Sequence, residues 1–593
     1  MANTFFSSTN SWVSKARSQR SFRAVILFML ASGLLSVCGF RLAYLQLVEG
    51  SHNRQLADQN RIRSLSIVAD RGNLTDRKGN PIVINRLSRS VYLYPREQTK
   101  EQWQVSAQRI SELLDIPKEE IIKKLEAVKY RSVAPVRILR GLDEKKYVAL
   151  YEIGGQIRGL EVQAESTRQY PYGSLAAHVL GYIGEATAED LKAHPEFPNG
   201  MLVGKMGIER IQDATLRGTW GSRLIEVDSA GKELKMLGVQ QPVGGLPLQL
   251  TLDVKLQQAA ERALGGRRGA VVVLDVKTGA VLVMASGPTF DPNMFTRKIS
   301  QKAWDALQSQ DHPFLNRALQ GYPPGSTFKI VTAMAAMKSG KFSATSMLPT
   351  YSAINIGGTL FHEHGDASYG TIGFRDALAF SSNTFFYQLG MAIGPEAISD
   401  WGHRFGIGTT STMGLDGATQ GLIPTPKEKE KLFKEPWYIG DTVSTAIGQG
   451  MVQVTPLEMA VMVSTVANGG KRVKPHLFAN QTYQPNMQPE SLGFEPSALE
   501  VLQQGLTAVV QEGTAKSLND GSIPLTAGKT GTAEVQGQED NALYVGYGPV
   551  DKPQIAIAVV VENGGFGATA AVPIAHEIYK TFFGTTKPVP KAE

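Results

Sequence analysis

The sequence predicts an α+β protein with one N-terminal membrane helix and two domains that follow it. Three observations carry this prediction. One long apolar stretch lies near the N-terminus, residues 50–245 are rich in strand-like segments and glycine turns, and the texture changes from residue 246 onward. That last region begins with two strand-like segments, continues with helical segments and ends with three strand-like segments. This order along the chain favours an antiparallel sheet with a helical insertion.

The composition is that of a folded globular chain. Of 593 residues, 42% are hydrophobic and 19% are charged, which argues against a largely disordered protein. The 61 lysines and arginines against 54 acidic residues leave a net charge of +7 and form no basic stripe with aromatic residues. Nucleic acid is therefore not an expected partner. The single cysteine, Cys38, excludes an intrachain disulfide and a cysteine-rich metal site.

The first fifty residues predict a membrane anchor. Residues 1–23 carry four basic residues and no acidic one, and Ala24–Phe40 then runs for 17 residues without a charge. Because a helix of roughly 20 residues spans a bilayer, we expect an uncleaved anchor over 24–47. A cleaved signal peptide is the alternative, but the sequence around Arg41 fits a cleavage site poorly. The basic flank predicts a cytoplasmic tail over 1–23.

Two domains and a tail follow the anchor in this prediction. We expect a strand-rich domain over 48–245, a second domain over 246–585 and an unstructured tail over 586–593. The first domain contains one helical segment, Thr99–Tyr130, and its charged runs are interpreted as buried arginine–aspartate pairing that orients segments. In the second domain the expected elements are a helix around Leu256–Leu264, a hairpin over Ala270–Ser286, closing strands over Leu525–Glu534, Ala542–Tyr547 and Gln554–Glu562, and a last helix over Ala570–Phe583.

The first motif with chemical meaning is Ser326 followed by Lys329. The preceding Pro323-Pro324-Gly325 stops one segment, and Ser326 is expected to open a helix. Residues three apart share a helix face, so the lysine Nζ can reach the serine Oγ. A lysine whose pKa is lowered by burial can act as the base that a serine nucleophile needs. The alternative is an N-capping serine beside a surface lysine.

Two further motifs indicate catalysis only when they are considered together with the first. Ser381 and Asn383 can together contact a serine–lysine pair and a substrate amide, although helix capping is the alternative. The segment Gly528–Thr532 lies in a strand-like stretch, and a strand at the edge of a cleft aligns an extended peptide by backbone pairing. The same three letters, Lys-Thr-Gly, occur at Lys277–Gly279, where they fit a hairpin turn.

In this order the three motifs form the set typical of penicillin-recognising serine enzymes. Asn383 lies 57 residues after Ser326, and Lys529 lies 203 residues after it. The chain resembles a class B penicillin-binding protein over nearly its whole length, because segments outside the three motifs are similar to that family as well. These segments are Arg71–Gly79, Arg168–Tyr182, Gly207–Glu209, Asn316–Arg317, Gly440–Thr442, Ile447–Gly450, Thr455–Leu457 and Ala467–Gly470.

The resemblance implies an elongated pedestal domain, a penicillin-binding transpeptidase domain and a peptidoglycan D,D-transpeptidase activity without a cofactor. It implies that Lys329 takes the proton of Ser326 as the serine attacks the carbonyl between two D-alanines of a donor stem peptide. Backbone N–H groups of Ser326 and Thr532 would form the oxyanion hole. D-alanine leaves with Ser381 as the proton relay, and an amine of a neighbouring stem then attacks the acyl-enzyme.

The resemblance also implies substrate-binding roles. Asn383 would orient the donor amide, while Lys529, Thr530 and Thr532 would bind its terminal carboxylate. Gly531 would leave room for close approach of the backbone. β-Lactams are expected to acylate the same serine as covalent inhibitors.

The subtype and the partners are further expectations. Tyr322–Gly325 and Trp437–Asp441 look more like the elongation branch of the family, and the septal, division-specific branch is the alternative. Either branch implies a membrane-embedded glycosyltransferase of the shape, elongation, division and sporulation family as partner. It also implies a single-pass protein of the bacterial inner (cytoplasmic) membrane with an extracytoplasmic catalytic domain. A β-lactam sensor, a D,D-carboxypeptidase and a non-catalytic scaffold are alternatives from other classes.

The segment from His362 to Asp366 raises the question of a metal ion. Two histidines, His362 and His364, lie two residues apart and would share a face of a strand. The flanking glycines favour a loop, and no cysteine is available. A polar loop near the cleft is the preferred interpretation, and no metal site is predicted.

Overall fold

The N-terminal helix is the element expected to meet the membrane. The computed structural model describes residues 10–52, 61–127, 135–198, 200–228, 233–296, 299, 301–309 and 312–584. A helix over Asn10–Ala43 continues as a π-helical turn over Tyr44–Val48. Within the described ranges one stretch, Phe22–Val48, is long and apolar enough to cross a membrane, with a mean hydropathy of 2.0 and no burial against the chain. This is consistent with the anchor expected over 24–47, whereas the predicted tail over 586–593 lies outside the described residues.

A long strand, Pro81–Leu93, is the centre of the first domain and pairs antiparallel with Leu160–Gln169. The described strands of this domain are Ile62–Ile67, Leu74–Thr75, Pro81–Leu93, Val136–Leu139, Leu160–Gln169, Ile183–Glu185, Leu202–Gly204, Gly221–Val227, Glu233–Gln240 and Leu248–Gln249. Its described helices are Lys100–Leu114, Lys118–Glu126, Glu144–Gly154, Ala177–Leu180, Ala188–Ala193, Gly207–Ile211 and Asp213–Arg217.

The predicted helical segment Thr99–Tyr130 is two helices rather than one. The first, Lys100–Leu114, ends at Asp115, whose φ of 56° is left-handed and terminates the helical hydrogen bonding. The second, Lys118–Glu126, then packs its own apolar side into the same core cluster. The last residues of the predicted segment lie outside the described part of the chain.

Buried charges order the first domain, although their partners differ from the prediction. Arg71 Nε and Arg168 Nε bind the two oxygens of Glu209 at 2.6 and 2.7 Å, and Arg71 Nη1 also contacts Asp213 at 2.8 Å. Asp76 instead accepts hydrogen bonds from Lys78 and Asn80 in its own turn. The predicted arginine–aspartate pairing is therefore mainly a pairing of two arginines with Glu209, which no local spacing could indicate because Glu209 comes from a distant segment.

The second domain is built on a five-stranded antiparallel sheet, as the sequence predicts. Its strands are β1 (Gly269–Asp275), β2 (Val281–Gly287), β3 (Ala527–Ala533), β4 (Asn541–Gly548) and β5 (Ile555–Val561). Their spatial order is β2-β1-β5-β4-β3, and β1 with β2 forms the predicted hairpin. Because β3 lies at the edge, one side of its backbone is not used by the sheet.

Both faces of this sheet are covered by helices, so its strands are almost wholly buried. Odd-numbered residues of β1 pack with the helices Val254–Leu264 and Val572–Phe583, and even-numbered residues pack with Pro456–Ala467. This alternation follows from the period of two along a strand. The sheet is therefore the middle layer of the domain, and the helical insertion between β2 and β3 builds one outer layer.

The insertion supplies most of the remaining elements. The helices of the second domain are Val254–Leu264, Gln301–Ser309, Lys329–Lys338, Phe374–Ala379, Asn383–Ile393, Pro395–Arg404, Pro426–Phe433, Ile439–Ala446, Pro456–Ala467, Pro496–Gln511, Gly567–Ala570 and Val572–Phe583. Three small ribbons pair Met347–Pro349 with Thr371–Gly373, Ala353–Ile356 with Thr359–His362, and Lys471–Arg472 with Glu490–Ser491.

Replacing Glu209 by glutamine should destabilise the first domain strongly. The substitution leaves Arg168 buried without its counter-charge, which costs about 3 kcal/mol of the free energy of unfolding. Thermal unfolding of the full chain measures the loss. The control is Glu233→Gln, which breaks an ion pair with Arg223 that is 41–42% exposed, so that its effect stays within about 0.5 kcal/mol. Equal losses in the two variants would contradict this account.

Candidate active site

Ser326 lies in a 3₁₀ turn, Gly325–Phe328, directly before helix α1 (Lys329–Lys338). The sequence predicts that the serine opens the helix, but the α-helix begins three residues later. Gly325, directly before the serine, has a left-handed φ of 51° that an α-helix does not allow, and its N–H donates to Gly448 O at 2.9 Å. In a 3₁₀ turn residues three apart eclipse, so the serine and Lys329 remain on one side.

Lys329 is wholly buried at the start of α1 and donates three hydrogen bonds. Its Nζ lies 2.7 Å from Ser381 O, 3.3 Å from Ser381 Oγ and 2.7 Å from Asn383 Oδ1. Among the described residues, none of its hydrogen bonds goes to Ser326. The structure thus brings the first and second motifs into direct contact through the lysine.

Burial changes the proton affinity of this lysine. It lowers the pKa of Lys329 from its ordinary 10.5 to about 7, and the carboxylate of Glu363 opposes the shift. Burial also lowers the pKa of Lys529 well below its ordinary value, with the charge of Lys329 adding to the effect. At neutral pH a substantial fraction of Lys329 is therefore uncharged and able to accept a proton.

The second motif forms a strained turn before helix α2 (Asn383–Ile393). Ser381 has a left-handed φ of 61°, which is costly for a residue other than glycine. Ser382 caps the helix by accepting from Phe385 N at 3.3 Å. The turn presents the carbonyl and hydroxyl of Ser381 and the amide of Asn383 together to Lys329.

The third motif lies on β3, at the edge of the central sheet. Thr530, Gly531 and Thr532 line the cleft beside Ser326. Lys529 is different, because its side chain is wholly buried and its Nζ donates to Thr530 O at 3.0 Å. Of the four residues expected to meet a substrate carboxylate or to make room for it, three line the cleft and the lysine is buried outside its lining.

Close contact between β3 and the Ser326 turn depends on glycine. A Cβ on Gly531 would lie 3.0 Å from both Pro324 O and Thr327 Cγ2, and a Cβ on Gly325 would lie 2.5 Å from Thr532 O. Real Cβ contacts are longer, so any side chain at either position would push the strand and the turn apart. The two glycines therefore keep the backbone amides of Ser326 and Thr532 close together.

The cleft holds residues that the motifs do not reveal. Its volume is about 660 Å³, and one wall is formed by residues of the loop after the ribbon that ends at His362. Gln449 donates to Thr532 O at 3.4 Å, and Thr514 shares a 2.6 Å hydrogen bond with Thr530. Gln449 belongs to a segment that resembles the family, whereas no local pattern marks Thr514.

The loop His362–Asp366 does not gather its side chains around one point. His362 Nδ1 lies 2.8 Å from Asp366 Oδ1 at the surface, His364 packs edge-on to Phe566, and Glu363 is buried. In the part of the chain that the structure describes, no group of three or more histidine, cysteine or acidic side chains could hold a metal ion.

Comparison with known proteins decides the family. Residues 269–580 match the penicillin-binding protein transpeptidase domain, and residues 66–250 match the penicillin-binding protein dimerisation domain. The chain belongs to the class B penicillin-binding proteins. The first domain is therefore the pedestal of this family and the second is its transpeptidase domain, while the predicted boundaries 48–245 and 246–585 stay predictions.

Relatives of similar length support this assignment. The chain is 31% identical to the peptidoglycan D,D-transpeptidase MrdA of Acinetobacter baumannii over 96% of its own length and 89% of that protein. It is also 31% identical to MrdA of Escherichia coli, over 92% and 91% of the two chains.

Solved structures of this family share the fold. The penicillin-binding protein PBP2 of Helicobacter pylori, in its complex with MreC, is 29% identical, with a TM-score of 0.80 over 88% of this chain and 99% of that one. A chain of a peptidoglycan synthase complex is 30% identical, with a TM-score of 0.72 over 96% and 99%.

Replacing Gly531 by alanine should slow acylation by penicillin about 10²-fold, because the new Cβ displaces β3 from the Ser326 turn by a fraction of an ångström or more. The second-order rate of adduct formation measures this. Gly238→Ala is the control, since that glycine lies in a strand of the pedestal with nothing within 4 Å of its added Cβ. An unchanged rate in the Gly531 variant would show that the close approach is not needed.

Proposed function

We propose that this chain is an elongation-type peptidoglycan D,D-transpeptidase that cross-links stem peptides through an acyl-serine at Ser326. The observation that carries the proposal is the buried Lys329, whose pKa is lowered to about 7 and whose Nζ is held by the second motif beside the serine turn. A nucleophilic serine needs an adjacent base, and a neutral buried lysine is such a base.

Lys329 would act by losing one of its three hydrogen bonds. In the charged form its three protons go to Ser381 O, Ser381 Oγ and Asn383 Oδ1, and the contact to Ser381 Oγ is the longest at 3.3 Å. The neutral amine has two protons and one lone pair. That lone pair would accept the proton of Ser326 as its Oγ attacks the carbonyl between two D-alanines.

The backbone would stabilise the oxyanion that forms in this attack. The N–H groups of Ser326 and Thr532 lie on the two segments that Gly325 and Gly531 hold close together. Preorganised amide donors of this kind stabilise developing negative charge. Thr530 and Thr532 line the same cleft and would bind the terminal carboxylate of the donor, together with the buried Lys529 of the same strand.

The second half of the reaction would run through the same groups. Ser381 Oγ lies between Lys329 and the cleft and would relay the proton to the departing D-alanine. Asn383 lines the cleft and would orient the donor amide. An amine of a neighbouring stem peptide then attacks the acyl-enzyme, and Ser326 regains its proton.

The elongation role and the surroundings of the enzyme are supported by its relatives. The matched proteins named MrdA are D,D-transpeptidases, and a matched PBP2 is in a complex with MreC. A matched peptidoglycan synthase complex coordinates polymerisation with cross-linking. We therefore propose a membrane-embedded polymerase of the shape, elongation, division and sporulation family as partner, and a cytoplasmic N-terminus in the inner membrane, supported by the basic residues before the anchor.

Incubation with a penicillin should add one drug mass to the full-length protein. Intact-mass spectrometry checks this, and Ser326→Ala should abolish the adduct because it removes the hydroxyl that is proposed to carry the acyl group. If well-folded wild-type protein forms no adduct, either alone or with its polymerase partner, the proposal that this chain is an active enzyme would be contradicted.

Acylation should rise with pH through a midpoint near 7, because Lys329 is protonated and inactive below its pKa and neutral above it. Adduct formation at fixed drug concentration from about pH 5 to about pH 9 measures the profile. Lys329→Arg should be inactive throughout, since arginine stays charged. Lys338→Arg, at the far end of the same helix, where the side chain is partly exposed, should keep the wild-type profile, and loss of activity there would point to a folding defect.

A further inference from the structure

A buried carboxylate, Glu363, lies directly behind the second motif. Its side chain is 3% exposed, and it accepts hydrogen bonds from donors on three consecutive residues. Ser382 Oγ and Asn383 N each lie 2.6 Å from it, and Thr384 N and Oγ1 each lie 3.0 Å from it. With His364 N at 3.1 Å, the carboxylate has five donors, one more than the roughly four lone pairs of its two oxygens, so no acceptor site is left unused.

These contacts place negative charge at the start of α2. The amides of Asn383 and Thr384 are the first of that helix and have no partner inside it. A carboxylate from a separate loop satisfies both and complements the positive end of the helix dipole. The side-chain oxygen of Asn383 also accepts a hydrogen bond from Lys329. By binding the backbone N–H of Asn383, Glu363 therefore helps to set the position of this side chain relative to the lysine.

The charge of Glu363 also reaches the lysine. The charged group that acts on the pKa of Lys329 is Glu363, from the loop after the His362 ribbon, whereas the charge of Lys329 in turn lowers the pKa of Lys529 on β3. The ring of Phe386 lies 5.5 Å from the Nζ on the side of α2. Burial lowers the pKa of Lys329, and the carboxylate is the group that opposes this shift.

We infer that Glu363 is a positioning residue for acylation, whose carboxylate holds Ser382 and Asn383, and with them the adjoining Ser381, in place against Lys329 and supplies the negative charge that acts on this lysine. The inference rests on the proposed function of Ser326 and Lys329. It assigns to the buried member of the His362–Asp366 loop a part in the reaction that acts through the second motif.

Two substitutions at Glu363 distinguish the effect of its charge from the effect of its side-chain length. Glu363→Gln removes the charge and replaces one of the two acceptor oxygens by a donor NH2, while Glu363→Asp keeps the charge on a shorter side chain. The readout is the second-order rate of acylation of the full-length protein by a penicillin, measured across pH, beside the melting temperature. The matched control is Glu458→Gln, because Glu458 is also 3% exposed and accepts from Thr455, Gly408 and Gly421 amides at another helix start.

We expect E363Q to lower the plateau rate about 10²-fold and to move the midpoint of the profile to lower pH, because the charge that favours protonated Lys329 is gone. E363D should lose plateau rate but keep the wild-type midpoint. E458Q should lower the melting temperature and leave the profile unchanged. A midpoint in E363Q equal to that of wild type would overturn the inference, as would equal effects of E363Q and E458Q on the profile.

If E363Q does not fold, Ser382→Ala serves instead, because it removes one of the five donors and leaves the charge in place. A reduced plateau with an unchanged midpoint supports the inference, and an unchanged plateau overturns it. Failure of the proposed function is distinguishable, since wild-type protein would then form no adduct at all.

Discussion

A lysine ammonium taken wholly out of water costs several kcal/mol unless its protons are accepted elsewhere. Lys329 is in this position, and the whole site is arranged around it. Its three acceptors come from the turn Ser381–Asn383, so the first two motifs are bound to each other by the need to satisfy one buried charge. The same burial lowers the pKa of Lys329, so that the lysine can be neutral and act as a base. One physical constraint thus accounts both for the contact between the two motifs and for the basicity of the lysine.

The second constraint is the distance between an edge strand and a turn. The five-stranded sheet fixes β3 at its edge, and the packing of α1 in the core fixes the Ser326 turn opposite it. Gly325 and Gly531 remove the side chains that would separate the two, and Gly448 does the same behind the turn, where a Cβ would lie 2.5 Å from Gly325 O. The strand and the turn therefore meet through bare backbone at these points of contact.

Most of the fold could be predicted from local patterns. The apolar N-terminal stretch, the β1–β2 hairpin and the antiparallel sheet formed with the three closing strands all follow from hydrophobic period and turn residues. The features that the sequence did not predict depend on single residues or on contacts between distant segments. The break at Asp115 depends on a single left-handed residue, and the pairing of Arg71 with Glu209 joins segments far apart in sequence, which a pattern of neighbours cannot contain.

The sequence by itself determined the family, the acyl-serine chemistry and the candidates Ser326 and Lys329, because motif spacing and residue type are local properties. Only the tertiary structure decided how those groups are used. It buried Lys329 and Lys529, and it turned Glu363 inward to hold the second motif. Burial and electrostatic neighbourhood depend on packing between distant segments, and for that reason no spacing along the chain could have given them.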